Sequence, residues 1–305
     1  MKPEREIGAI FNCGAAEYKG GTKLLPRVIK KGYAPKKNGY GYENYISEIW
    51  LAEGDGKEFT LSNGPFIKPD KPYDRYGCED ARVTELGGEY LITYTALSSP
   101  AFSGKGNRIG LASTKDFSTL EKHGIIGPHV NDKDAVIFPE EINGNIGLLH
   151  RIDPNIQIMY FDDIEQLKQN HDKNFLKKYN EELNKHIVLD RKYEWESKKI
   201  GAGAPPIKTK EGWLLIYHGV DKNKIYRAGA ALLDLDDPQQ VIARSSEPIL
   251  EPEMDYEKNG DIPNVIFPEG AIVKNGVLNI YYGAADRYCC LATCKLNNLI
   301  DFLFD

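Results

Sequence analysis

The chain has 305 residues, 41% of them hydrophobic, and a formal net charge of −6 from 39 basic against 45 acidic side chains. No Lys/Arg-rich block stands out, which argues against a binder led by nucleic-acid phosphates. No apolar run approaches the roughly 18 residues of a membrane span. Residues 1–10 are charged and lack the apolar core and cleavage site of a secretory signal. Five cysteines, an odd number, fit reduced thiols in the cytoplasm better than a disulfide framework. Cys289, Cys290 and Cys294 cluster without a second Cys/His pair at zinc spacing, so they read as buried strand cysteines and no metal is expected. At about 150 residues per domain the length allows two domains. The 29 glycines, 17 prolines and 18 tyrosines favour many short strands and turns over long helices.

In chain order one unit recurs. A strand-like segment is followed by an apolar run that ends in polar or aromatic residues, and then by a third apolar stretch. The first unit has its segment near Asn12, its run at residues 23–27 and its third stretch at 45–52. In the second these fall at 79–84, 90–94 and 108–113, with Gly87-Gly88 as the turn. The third uses 133–138, 147–151 and 156–161 around Asn143-Gly144. In the fourth they are 203–207, 213–218 and 226–234 around Glu211-Gly212, and in the fifth 264–268, 277–282 and 288–295 around Asn275-Gly276. A period of about 60–70 residues, five times over, predicts an all-β, five-bladed β-propeller occupying residues 1–305 as one domain. A β-sandwich would not explain the fivefold pattern. The polar stretch over residues 163–186 breaks it and reads as a short helical insertion, either a surface arm or a contact in a homo-oligomer.

A tight turn makes the first two strands of each unit antiparallel, so the start of one and the end of the next lie at the same end of the propeller. Asn12, Asp80, Lys133 and Asp134 come from the starts; Arg27, Tyr94, Arg151, His218, Asp286 and Arg287 come from the ends. With Arg82, two residues after Asp80, the set is rich in cations and poor in carboxylates. An inverting glycosidase needs two carboxyl groups. A cationic cluster beside one acid suits phosphate as nucleophile instead. Taken singly, each residue reads about as well as a rim salt bridge, and Asp80 with Arg82 as a structural pair. Alternation along a strand allows only one of Glu79 and Asp80 to face the axis. Tyr217-His218 suits sugar hydroxyls and phosphate beside a cleft. The glycine-rich segment 201–206 lacks the endings of nucleotide loops and reads as a tight strand entry.

These motifs are ordered as in a known family. Glu79-Asp-Ala-Arg-Val-Thr84, Lys115-Asp-Phe117, Lys133-Asp-Ala-Val-Ile-Phe-Pro139, Gly201-Ala-Gly-Ala-Pro-Pro-Ile207, Gly212-Trp-Leu-Leu-Ile-Tyr-His-Gly219, Gly260-Asp-Ile-Pro-Asn-Val-Ile-Phe-Pro268 and Tyr281-Tyr-Gly-Ala-Ala-Asp286 resemble glycoside hydrolase family 130. The resemblance implies a five-bladed propeller and an inverting β-mannoside phosphorylase that takes inorganic phosphate as co-substrate and no cofactor. It implies Asp80 as general acid acting through a mannose hydroxyl, with α-mannose 1-phosphate as product. Arg82, Lys133, Arg151 and His218 fall on positions that would hold phosphate, and Asn12, Arg27 and Asp286 where mannose is gripped. Asp134 and Tyr217 are expected as further sugar contacts. One departure is Pro139-Glu-Glu-Ile142, which sets acids where some relatives carry a basic residue. β-1,2-Mannobiose or short oligomannans are the favoured substrates. The alternatives are β-1,4-mannosides, a mannosidase using water on the same scaffold, and a propeller that only binds sugars.

Overall fold

Four tight hairpins set the frame. In the computed structural model, which describes residues 1–37, 41–169 and 173–305, the pairs Lys19–Gly20, Gly87–Gly88, Asn143–Gly144 and Asn275–Gly276 have positive φ at both residues. That is the backbone of a type I′ turn, whose twist matches that of the strands it joins. The first blade holds β1 (Ile7–Tyr18), β2 (Gly21–Lys30), a side hairpin of β3 (Ala34–Pro35) and β4 (Tyr42–Glu43), then β5 (Ser47–Gly54) and β6 (Phe59–Ile67). The second is β7 (Cys78–Leu86), β8 (Glu89–Leu97), β9 (Asn107–Thr114) and β10 (Glu121–Ile126); the third is β11 (Lys133–Ile137), β12 (Ile146–Arg151), β13 (Ile156–Phe161) and β14 (Ile187–Leu189). Two short helices, α1 (Ile164–Lys168) and α2 (Lys173–Glu181), lie between β13 and β14. In the fourth blade β15 (Lys199–Ala202) and β16 (Ile207–Lys208) share one partner, β17 (Trp213–Val220), followed by β18 (Tyr226–Leu233) and β19 (Val241–Arg244). A helical turn, α3 (Asp255–Lys258), leads to the fifth blade: β20 (Ile266–Lys274), β21 (Val277–Ala284) and β22 (Tyr288–Lys295), with α4 (Leu296–Phe304) behind it.

The fivefold expectation holds, and the insertion is helical as expected, although it is broken into two helices and residues 170–172 of it lie outside the described residues. Two strands begin earlier than the sequence pattern placed them. β1 starts at Ile7, and the fourth blade opens at Lys199 instead of Gly203. Cys289, Cys290 and Cys294 fall on β22.

Each blade packs on its neighbours through apolar faces on both sides. Leu24 joins the cluster shared with the fifth blade while Leu25 joins that shared with the second. Leu148 and Leu149, and likewise Leu214 and Leu215, divide in the same way between two clusters. Alternation therefore serves two interfaces at once, which is why the inner strands are apolar throughout. The ring closes where the Met1 ammonium donates to the carbonyl of Cys289 at 2.5 Å and Cys289 N–H donates to Met1 O at 3.1 Å.

The inner strands carry a shared irregularity. Asn12, Asp80 and Asp134 have φ of 51°, 55° and 55°, and each sits at a register shift, between Phe11 and Cys13, Glu79 and Arg82, and Lys133 and Val136. The fifth blade shifts register around Glu269, between Pro268 and Gly270. A bulge bends the strand and re-aims its side chain. Next to the first bulge, Gly14 lets blades one and two meet: a Cβ there would lie 2.3 Å from the Ala81 carbonyl oxygen. Gly14→Ala is expected to cost about 1–3 kcal/mol by overpacking, read as a lower denaturant midpoint at unchanged slope. An unaltered midpoint would show that the inner strands have room to part.

Candidate active site

The bulges gather one group of polar side chains around Arg27. Its Nη1 donates to Asp80 Oδ1 at 3.1 Å, and its Nη2 donates to Glu79 Oε1 and, at 3.1 Å, to the Tyr45 hydroxyl. Asn12 Nδ2 donates to the same Asp80 oxygen at 2.9 Å. Alternation would have sent Glu79 and Asp80 to opposite faces. The left-handed backbone at Asp80 overrides it, and both carboxylates reach one guanidinium. Asp286 joins them electrostatically. Burial, with Asp80, Glu79 and Asp261 nearby, pushes its carboxyl up to about 7 despite Arg27. Burial raises Glu79 as well. Burial also pushes Asp80 upward, but Arg27, Lys133 and Arg82, with the Asn12 hydrogen bond, outweigh it and hold Asp80 below the usual carboxylate range.

A second group is basic. Lys133 and Arg151 are register partners on β11 and β12. Arg151 Nη1 lies 2.5 Å from Asp134 Oδ2 and donates to His218 Nε2 at 3.0 Å, and its Nε lies 2.8 Å from Asp153. Asp134 is fully buried; burial would raise it, but Arg151, His218, Arg82 and Lys133 hold it far below the usual range. Lys199, half-buried at the start of β15, lies over the Tyr226 ring at 5.7 Å. The charge of Arg151, then burial, then Lys133 bring its ammonium down to about 7. Burial, with the charges of Arg151, Lys199 and Arg82, holds the His218 imidazole well below its usual value against the pull of Asp134. A neutral His218 that accepts at Nε2 carries its proton on Nδ1.

Arg82 and Tyr217 turn their polar atoms to other parts of the protein, and His218 stands beside Arg151. Arg82 is 1% exposed and lies below the mouth on the axis. Its donors go to the carbonyls of Asp80 at 2.8 Å, Gly203 at 3.2 Å and Ala202 at 3.3 Å, and its Nη2 lies 3.4 Å from both Asp134 and Glu269. Through these contacts it ties four blades together. His218 is 0% exposed and serves as acceptor for Arg151, so it helps to set that guanidinium. Tyr217 points the opposite way from His218, as a neighbour on a strand must. Its hydroxyl donates to Glu196 at 3.0 Å and accepts from Arg244 Nε at 3.0 Å, far from the sugar position expected of it. Tyr94 is buried with its hydroxyl on Asp74, and Arg287 pairs with Asp261 at 2.9 Å. The acids at 140–141 lie at the hairpin end, where Glu140 binds Lys208, so that departure does not touch the mouth.

Lys199 and Glu269 were missed. Lys199 opens β15 as Lys133 opens β11, and starting the fourth blade four residues early would have exposed the parallel. Glu269 occupies the fifth blade's bulge, hidden in a Pro-Glu-Gly that reads as a turn. Fully buried, it is pushed well above the usual carboxylate range by burial against the pull of Arg82.

A propeller whose mouth is split into a carboxyl-rich half and a cation-rich half is built to hold a neutral polar molecule against an anion. Comparison with known proteins narrows this class. The chain belongs to glycoside hydrolase family 130, whose model, described as beta-1,4-mannooligosaccharide phosphorylase, matches residues 1–305. It is 39% identical to the 1,2-beta-oligomannan phosphorylase of Thermoanaerobacter sp. (strain X514), over 97% of this chain and 93% of that protein. It is 40% identical to the beta-1,2-mannobiose phosphorylase of Listeria innocua, over 98% and 93%. The solved structure of a Listeria innocua beta-1,2-mannobiose phosphorylase with beta-1,2-mannobiose superposes with a TM-score of 0.83 at 34% identity, covering 100% of this chain and 95% of that one.

The depressed ammonium gives a pH prediction. Lys199 is protonated below about 7 and loses its charge above it, while Asp286 gains a negative charge over the same interval. Both changes weaken anion binding as pH rises. Sulfate does not titrate in this range, so its affinity, measured by calorimetry, is expected to fall roughly three- to tenfold between about pH 6 and pH 8. Lys199→Met is expected to flatten the dependence; an equally steep profile in that variant would remove Lys199 from the anion site.

Proposed function

We propose that the protein is a cytoplasmic glycoside phosphorylase that cleaves β-mannosides with inorganic phosphate. The observation that carries the reading is the crowding of Lys133, Arg151 and Lys199, close enough for the first two to depress the third, while the carboxylates beside them, Asp134 and Asp153, both pair with Arg151. Such a cluster is electrostatically incomplete until an anion arrives, and a phosphate dianion fits its charge. Held there, phosphate is desolvated and aimed at the anomeric carbon without needing a general base.

Asp80 then acts as the acid on the opposite side of the sugar. The glycosidic C–O bond breaks and the new C–O–P bond forms with inversion, while Asp80 protonates a mannose hydroxyl whose own proton passes to the oxygen of the departing sugar. The proton that hydrogen phosphate gives up on becoming an ester restores Asp80. Of the cations that lower Asp80 in the free protein, Lys133 is one that a phosphate would neutralise, so the nucleophile's arrival favours the acid's protonation. Asn12, Arg27 and Asp286 grip the mannose around Asp80. β-1,2-Linked mannobiose and short oligomannans are the substrates the 39–40% identical relatives support. β-1,4-Mannosides stand second, on a Ruminococcus albus relative that is 35% identical over 73% of this chain.

Mannobiose turnover is expected to require phosphate and to yield α-mannose 1-phosphate by NMR. Free mannose released at the same rate without phosphate would assign the site to hydrolysis. Run in reverse with mannose as acceptor, the product's linkage by NMR decides between the two bonds. Asp80→Asn is expected to reduce kcat by about 10²–10⁴ with the fold and sugar binding intact; activity within tenfold of wild type would move the acid's role to another carboxyl.

A further inference from the structure

Behind the basic half of the mouth runs a buried polar chain that the reaction does not use. Asp132 precedes Lys133 in sequence, and His150 precedes Arg151. His150 Nδ1 lies 2.8 Å from Asp132 Oδ2, and its Nε2 lies 2.7 Å from the hydroxyl of Tyr179. That hydroxyl also donates to the Ile158 carbonyl on β13 at 2.8 Å. Asp132 and His150 are 1% and 0% exposed, and Tyr179 is 5%.

Tyr179 belongs to α2, the insertion that interrupts the propeller pattern. α2 is seated over the second and third blades by Leu176 and Tyr179, which pack with Leu111, Ile137 and Leu148. The Tyr179 hydroxyl is the polar part of that seat: it meets β12 at His150, and through His150 it reaches Asp132, the residue before the strand that presents Lys133. Side chains alternate along β12, so His150 faces the insertion where Arg151 faces the mouth. Fixing His150 and Asp132 from behind fixes the backbone from which the two cations project.

We propose that the insertion is a positioning element for the anion subsite, acting through Tyr179, His150 and Asp132 on Lys133 and Arg151. This rests on the phosphorylase reading for its physiological ligand but on geometry for its mechanism. A polar chain in a low-dielectric interior is rigid when complete and costly when one member is removed.

Tyr179→Phe removes the hydroxyl and keeps the ring, which stacks on His186 at 4.3 Å. It is expected to raise KM for phosphate about three- to tenfold, with KM for mannobiose and kcat within twofold of wild type. Leu303→Ala, which loosens α4 behind the fifth blade and away from the polar chain, is expected to lower Tm at least as much while leaving KM for phosphate unchanged. The proposal is overturned if Tyr179→Phe leaves phosphate KM unaltered, or if Leu303→Ala raises it equally. Sulfate affinity of the substrate-free protein, measured by calorimetry, reads the same subsite without turnover. Phosphate-independent turnover therefore overturns the phosphorylase reading alone, whereas unchanged sulfate affinity in Tyr179→Phe overturns this one.

Discussion

The site depends on a backbone conformation that most residues avoid. Asn12, Asp80 and Asp134 sit in left-handed geometry in the middle of inner strands, at a cost of order 1–3 kcal/mol each. Asn and Asp are the non-glycine residues that tolerate it best. The bulge lets polar side chains gather around an axis whose strands are otherwise apolar on both faces. Without it, alternation would place Asp80 and Glu79 on opposite sides, and Arg27 would hold one of them at most. The packing of five blades is what sustains the strain.

Charge is then sorted by distance from the axis and by depth. Arg82 is buried, holding backbone carbonyls of its own blade and of the fourth and facing Asp134 and Glu269. On one side burial, together with the crowding of Glu79, Asp80 and Asp286 around the single Arg27, raises two of the three carboxyls. On the other side Lys133, Arg151 and Lys199 outnumber Asp134 and Asp153, and the charge of Arg151 with burial lowers Lys199. Each half is poorly balanced alone, and a sugar beside a phosphate corrects both.

The fold was legible because its signals are local. Paired turn residues such as Asn143-Gly144 and Asn275-Gly276 state their backbone directly, and strands of alternating packing repeat at a steady interval. The second and third strands of every blade fall within a few residues of where the pattern put them. The site was legible in membership more than in role. Asn12, Arg27, Asp80, Lys133, Asp134, Arg151 and Asp286 meet at or just below the mouth because antiparallel hairpins oblige the strand ends to converge. Lys199 was missed because a glycine-rich entry hides where the fourth blade begins.

What the sequence determined by itself is the number of blades, the end at which the polar residues collect and, through its ordered motifs, the family. The first two follow from turn chemistry and periodicity, and the family from the resemblance of its motifs, all of which a chain carries along its length. Tertiary structure alone decided which cation faces outward and which is consumed. Arg82 and Tyr217 are ordinary candidates on paper, but one is sunk among carbonyls from other blades and the other is turned toward Glu196 and Arg244. Depth along a shared axis is set by neighbours distant in sequence, and so is the charge each group carries.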